Sequence, residues 1–414
     1  MRRDFERQNV MPTAAKRAKM RQDTALYALC FAAFFIPESY SIGIIAYRLW
    51  QMFLFVIAIG SLGAFLAKGR ISVRWCFLTF FFISFYLLSS LAHGADGSLA
   101  VMAFLTLKGI GFSSLCEIGF QRDMRACLAG FLAAGLSLCF VHFCTYLLFR
   151  DIVGGMQHGT ISFMGYPASQ HWFFFTHDNA SIFYFLPVLA VSWLYAWRYS
   201  ERVVPIALIA TILAIVMYVD LWSATALISM IVFGGMIAVL FLWRRTCKKR
   251  GCNPAVKFPS PGMSVFLGCA VSVAVIILAP LDVLQSFVAQ LGKAGAVYAR
   301  ITIWENSLGY FVANLFFGMG LQDTMTVIGQ LTYDHSHNFL IQILYQGGLL
   351  SAILFIAWMS ACSVRKKRCR KVSPELAVIS GSIFLYLLVS TMDWYGAMVI
   401  PLILFAMLPY LEQE

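Results

Sequence analysis

The sequence predicts an all-α, polytopic membrane protein of about twelve transmembrane helices, with a helical loop region on the outer side between the ninth and tenth spans. Three observations predict it. Of the 414 residues, 60% are apolar and only 12% charged, where a soluble domain carries about 45–50% and about 25%, so there is too little charge to cover a water-facing surface. Mean hydropathy is +0.78. The apolar residues also gather in stretches suited to a bilayer core of ~30 Å, which takes about 17–25 residues per helix. This composition excludes a disordered chain, a disulfide scaffold and a nucleic-acid-binding protein, despite a net charge of +12.

The predicted spans are 24–36, 49–67, 73–92, 98–119, 126–149, 173–197, 203–219, 221–243, 263–281, 337–363, 374–391 and 394–411. The first is short and follows a basic tail, 1–23, with no small-residue cleavage site, which predicts an uncleaved span. Twelve helices put both termini on one side, and the positive-inside rule places them in the cytoplasm. On that reading 26 of the 31 Lys and Arg lie inside, in the tail, at Lys68/Arg70/Arg74, Arg122/Arg125 and Arg198/Arg202, and in the runs Arg244 to Lys257 and Arg365 to Lys371. Ten of the 19 acids lie outside, which leaves the inner side at +17 and the outer at −5. A register shifted by one helix would erase that asymmetry. The chain then divides into the tail 1–23, helices one to nine over 24–281, a long outer loop over 282–336, and helices ten to twelve over 337–411.

Cysteine usage agrees with a reduced, membrane-embedded chain. All eleven cysteines fall in spans or inner loops, so no disulfide framework is expected, and Cys247…Cys252 lacks a second pair for zinc. No internal repeat stands out.

Two outer segments are long enough to build a site. One, 150–172, carries Arg150, His158 and His171; the other, 282–336, is too long for a plain connection. Within it Val297, Ile301, Trp304, Leu308 and Phe311 recur at helical spacing, which predicts an amphipathic helix at the outer interface. A helical cap that merely packs on the bundle would show the same spacing.

Chemistry concentrates in two stretches, Tyr298-Ala-Arg300-Ile-Thr-Ile-Trp304-Glu305 and Asp334-His335-Ser336-His337-Asn338 running on to Gly347-Gly348-Leu349. His337 falls in the first turn of a predicted helix, where the positive dipole end disfavours the imidazolium and favours a nearby anion. A neutral base beside an anion-binding helix end suits transfer from a phosphate-linked donor.

These residues resemble a family. Arg300-x3-Trp304, then His337-Asn338 opening a helix that runs to Gly348-Leu349, is similar to the O-antigen ligase and polymerase superfamily of bacterial inner-membrane glycosyltransferases. Phe175-Thr-His-Asp-Asn179-Ala180 is similar to an upstream family segment, and the layout of twelve spans with a long outer loop fits as well. One departure stands out: where family members often carry a Ser-Arg pair, this chain has Ser223-Ala224, so Arg48 or Lys108 is expected to supply the missing charge.

The resemblance implies an O-antigen ligase of the bacterial inner membrane, working on its periplasmic face without cofactor or metal. The donor would be undecaprenyl-diphosphate-linked O-antigen and the acceptor lipid A–core oligosaccharide, with membrane lipids around and no nucleic acid partner. His337 is the expected base and Arg300 the main diphosphate clamp, because a guanidinium binds phosphate oxygens bidentately and keeps its charge. Arg48, Lys108 and Lys293 are candidate helpers; Asp393, Asn338 and Trp304 are candidates for orienting the base or binding sugar. Each has a plainer alternative: a capping histidine, a snorkelling arginine, loop charges, a turn acid. Asp334, His335 and His337 crowd into four positions and do not suit one metal ion. An O-antigen polymerase is the alternative within the same chemistry, favoured less by the modest chain length and single long loop. A lipid-glycan transporter would show repeats, paired Gly or Pro breaks and several deep charges, whereas charges within the spans are chiefly Lys108 and Glu117.

Overall fold

A computed structural model of the chain describes residues 14–37, 43–93, 99–149, 161–163, 166–168, 174–175, 180–221, 223–281, 286, 294–322, 326–328, 331–333, 335–362, 372–391 and 399–411. Helices carry the fold: α1 Ala14–Phe34, α2 Ile44–Lys68, α3 Val73–Phe82 continuing through a π-helical segment Ile83–Leu88 into α4 Ser89–His93, and α5 Leu99–Phe149. Then come α6 Ile182–Arg198, α7 Val204–Asp220, α8 Ala224–Arg250, α9 Pro261–Leu278, α10 Ala294–Ala313, α11 Phe339–Cys362 and α12 Pro374–Val389, with the short α13 Leu402–Ala406 and α14 Leu408–Leu411 at the end. Among the described residues, strands form two small antiparallel hairpins, Ile161–Phe163 with Tyr166–Ala168 and Thr326–Ile328 with Leu331–Tyr333.

The all-α, polytopic membrane class holds. Among the described residues seven helical stretches are long and apolar enough to cross a membrane, and three shorter apolar ones accompany them. One of the seven is α5, whose 51 residues measure about 75 Å at 1.5 Å per residue, well over twice a bilayer core. It is two helices joined at Asp123, which leaves helical geometry at φ −154°, ψ 91°. The Asp123 carboxylate accepts from the Ala126 N–H at 2.9 Å, an N-cap that starts the second half.

Helix ends differ from the hydropathy boundaries. α1 begins ten residues before the apolar stretch 24–36, in a run of alanine, lysine, arginine and methionine that favours helix without lipid. α8 runs through the basic residues to Arg250, where Gly251 at φ 63° closes it. In the described part of the last apolar stretch, expected as one span over 394–411, the short α13 and α14 follow one another as an apolar helical segment.

The core is an aromatic seam among α1, α5 and α6. Phe31, Phe35, Phe112 and Phe131 are fully buried, and Phe175 stacks on Tyr184 with ring centres 4.3 Å apart. Glu117, one of the charges predicted within a span, is 3% exposed and held bidentately by Arg74 at 2.5 and 2.9 Å, with the Tyr410 hydroxyl donating at 2.8 Å. This three-way contact ties α3, α5 and α14 at one end of the bundle.

The feature that positions the site is a broken helix. At Gly348 (φ 62°, ψ −166°) α11 leaves helical geometry. The segment 315–320 runs alongside the break and exchanges main-chain hydrogen bonds with it: Met319 N–H to Tyr345 O at 2.7 Å, Gly320 N–H to Gln346 O at 2.9 Å, Leu349 N–H to Leu315 O at 2.9 Å, and Leu350 N–H to Phe316 O at 3.2 Å. Irregular backbone at membrane depth survives only where neighbouring protein satisfies it, as here. Glycine is required on both sides, because a Cβ on Gly348 would stand 2.5 Å from Gly318 N and one on Gly318 2.6 Å from Gly348 N.

Candidate active site

The start of α11 and one face of α10 come together around Ser336. α10 presents Ile303, Trp304 and Ser307 as a buried stripe against α11, with Ile341 and Tyr345 opposite and Ala279 just beyond the end of α9. The predicted amphipathic helix therefore exists, and its inward face is centred on 303, 304 and 307. Trp304 is 3% exposed, and its indole N–H donates to the Ser336 carbonyl at 2.9 Å. The Ser336 N–H donates to Gln342 Oε1 at 2.7 Å, and its hydroxyl to the Asn338 carbonyl at 2.8 Å. Three bonds thus hold the residue before His337.

His337 itself has φ 52°, the left-handed region, which costs a non-glycine residue about 1–2 kcal/mol and persists where the surroundings over-determine it. The pinned Ser336 on one side and the capped helix on the other do so. The half-buried His337 ring lies against that of His335, with centres 4.1 Å apart.

Asn338 caps α11. Its Oδ1 accepts from the N–H groups of Leu340 at 3.0 Å and Ile341 at 3.2 Å, while Nδ2 donates to Ser272 Oγ at 3.0 Å and the Thr391 carbonyl at 3.2 Å. The side chain is 0% exposed, so its contacts start the helix and join it to α9 and the end of α12. That is a scaffolding arrangement, where the sequence suggested orienting or sugar binding.

Arg300 stands half-buried on α10, one turn before Trp304 and on the same face. The Trp304–Ser336 bond therefore brings the arginine's helix to the loop that carries His337. Arg48 is exposed in the second turn of α2, with Nη1 3.2 Å from Gln51 Oε1. Lys108 is buried in the third turn of α5. Ser223, where the family often pairs serine with arginine, is buried just before α8. Lys293, Asp393, Asp334, Arg150, His158, His171 and Asn179 lie outside the described residues.

Sequence reasoning passed over Gln342 and Gln346. Both are 3% exposed, and they bond to each other, Gln342 Nε2 to Gln346 Oε1 at 3.0 Å. Two amides four apart in an apolar span share a helix face, a spacing that was there to be read.

Comparison with known families adds one match. Residues 209–356 match the family model described as O-antigen ligase, from the second turn of α7 into the last turns of α11, a stretch that includes Arg300, Trp304, His337 and Asn338. No curated protein matches the chain. Through this stretch, about a third of its length, the chain is similar to the O-antigen ligase family.

Proposed function

We propose that the protein is an O-antigen ligase that moves polysaccharide from undecaprenyl diphosphate to lipid A–core oligosaccharide at the periplasmic face of the inner membrane. The observation that carries the reading is the Trp304 indole bond to Ser336, which seats the helix of Arg300 against the strained loop of His337.

In the proposed reaction His337 takes the proton from an acceptor hydroxyl, and that oxygen attacks the anomeric carbon of the donor sugar. The bond from this carbon to the diphosphate oxygen breaks, inverting the centre, and the lipid diphosphate leaves with the electron pair. Arg300 stabilises the charge that builds on the leaving phosphate, where a preorganised cation contributes most. Lys108, Arg48 and Lys293 supply further positive charge, and no metal ion takes part. Both substrates carry lipid tails, which fits a site at the head of a membrane helix.

Purified protein should transfer glycan from the lipid-linked donor to lipid A–core with a chelator present. His337→Ala and Arg300→Ala should each abolish transfer while the protein stays in the membrane. Near-normal product from either variant removes that residue from its role. A cell lacking the protein should strand long chains on the lipid carrier; single repeat units on the core would identify a polymerase instead.

A further inference from the structure

A line of side-chain amides runs from the His337 loop into the bundle. It starts at the Ser336 N–H, which donates to Gln342 Oε1 at 2.7 Å; Gln342 Nε2 donates to Gln346 Oε1 at 3.0 Å; Gln346 Nε2 donates to the Phe85 carbonyl at 3.3 Å. Phe85 lies in the π-helical segment Ile83–Leu88, and its carbonyl also accepts from Ser89 Oγ at 2.8 Å. Ser336, Gln342 and Gln346 are each 3% exposed or less.

The direction of this file is determined from both ends. A main-chain N–H can only donate, so Gln342 must turn its oxygen towards Ser336 and its nitrogen towards Gln346. Gln346 must then accept with its oxygen and donate with its nitrogen, and a main-chain carbonyl waits there to accept. Flipping either amide would set donor against donor at one end and acceptor against acceptor at the other. Amides buried this deeply are costly unless every bond is made, and aligned bonds polarise one another. A backbone bond also joins the inner end of the file to the segment 315–320, since the Gln346 carbonyl accepts from the Gly320 N–H. Packing α11 against α3 needs none of this; two leucines would fill the space. What the amides add is a fixed position for the Ser336 N–H, in the residue that precedes the one held at φ 52°.

We infer that Gln342 and Gln346 are positioning residues for His337, an amide file braced on the π-helical carbonyl of Phe85 that sets the backbone carrying the imidazole. The inference rests on the reading of His337 as the base, and its test includes a measurement that needs no transfer.

Full-length protein in phospholipid nanodiscs would be compared as wild type, Gln342→Leu, Gln346→Leu, Gln342→Glu and Gln346→Glu. The first readout is the rate at which diethyl pyrocarbonate modifies His337, located by mass spectrometry without substrate. The second is kcat and KM for glycan transfer. Each leucine variant should change the His337 modification rate by about threefold or more and lower kcat about tenfold, with KM within about twofold. The glutamate variants should recover wild-type behaviour at pH 6, where a buried carboxyl is neutral and offers one donor and one acceptor, and lose it at pH 8.5. Leucine variants whose His337 rate and kcat both stay within about twofold of wild type overturn the inference. If the leucine variants do not accumulate, the glutamate pair decides: the same ratio to wild type at both pH values overturns it. Full transfer by His337→Ala would end the base reading alone, and the modification rates would still decide the positioning.

Discussion

The Trp304 indole N–H and the Ser336 carbonyl, 2.9 Å apart, join two segments separated by a hairpin in the chain. One bond sets the distance between the arginine helix and the histidine loop. Trp304, a sequence candidate for orienting the base or binding sugar, thus ties the two segments together.

Trp304→Phe keeps the ring in its pocket and removes the N–H. It leaves the Ser336 carbonyl without that donor, a loss of about 1–3 kcal/mol at a buried polar group. Transfer by purified protein should fall about tenfold while membrane levels hold, because 1.4 kcal/mol is a factor of ten. Unchanged kcat in this variant would show that this bond does not set the site.

Gly348→Ala should prevent stable folding. The new Cβ would meet Gly318 N and the Phe316 carbonyl at 2.5 Å, both main-chain atoms that cannot swing aside, at a residue with φ 62°. Gly309→Ala is the control, since that helical position has nothing within 4 Å and alanine there should be neutral or stabilise by about 0.5–1 kcal/mol. Thermal unfolding in detergent, followed by size-exclusion fluorescence, separates the two.

Breaking the Arg74–Glu117 pair from one side should cost more than removing it whole. The side chains are 15% and 4% exposed, and a single Arg74→Met or Glu117→Gln leaves a buried charge uncompensated at about 3–5 kcal/mol. The double variant should recover part of that loss. A double-mutant cycle on the unfolding midpoint measures it; simple additivity would mean the pair is not coupled.

The cation missing beside Ser223 makes a prediction about two distant residues. Lys108→Met should lower transfer more than Arg48→Ala, because Lys108 is buried and Arg48 exposed. Initial rates at saturating donor give the comparison. Full activity in both would mean that neither supplies the charge.

The membrane class, the placement of most helices and the two stretches that meet at the site are all legible in the order of the residues. Those follow from apolar runs, charge sidedness and a local pattern around Arg300, Trp304, His337 and Asn338, all properties of residues near one another in the chain. The last stretch is apolar and helical in its described part, as composition suggests, although a turn at Met407 divides it into α13 and α14. The break at Gly348, the left-handed backbone at His337 and the amide file to Phe85 come from long-range packing. Each depends on which distant main-chain atom comes close enough to satisfy a buried donor or acceptor. No hydropathy or spacing rule encodes that approach, because it is made by the folded bundle.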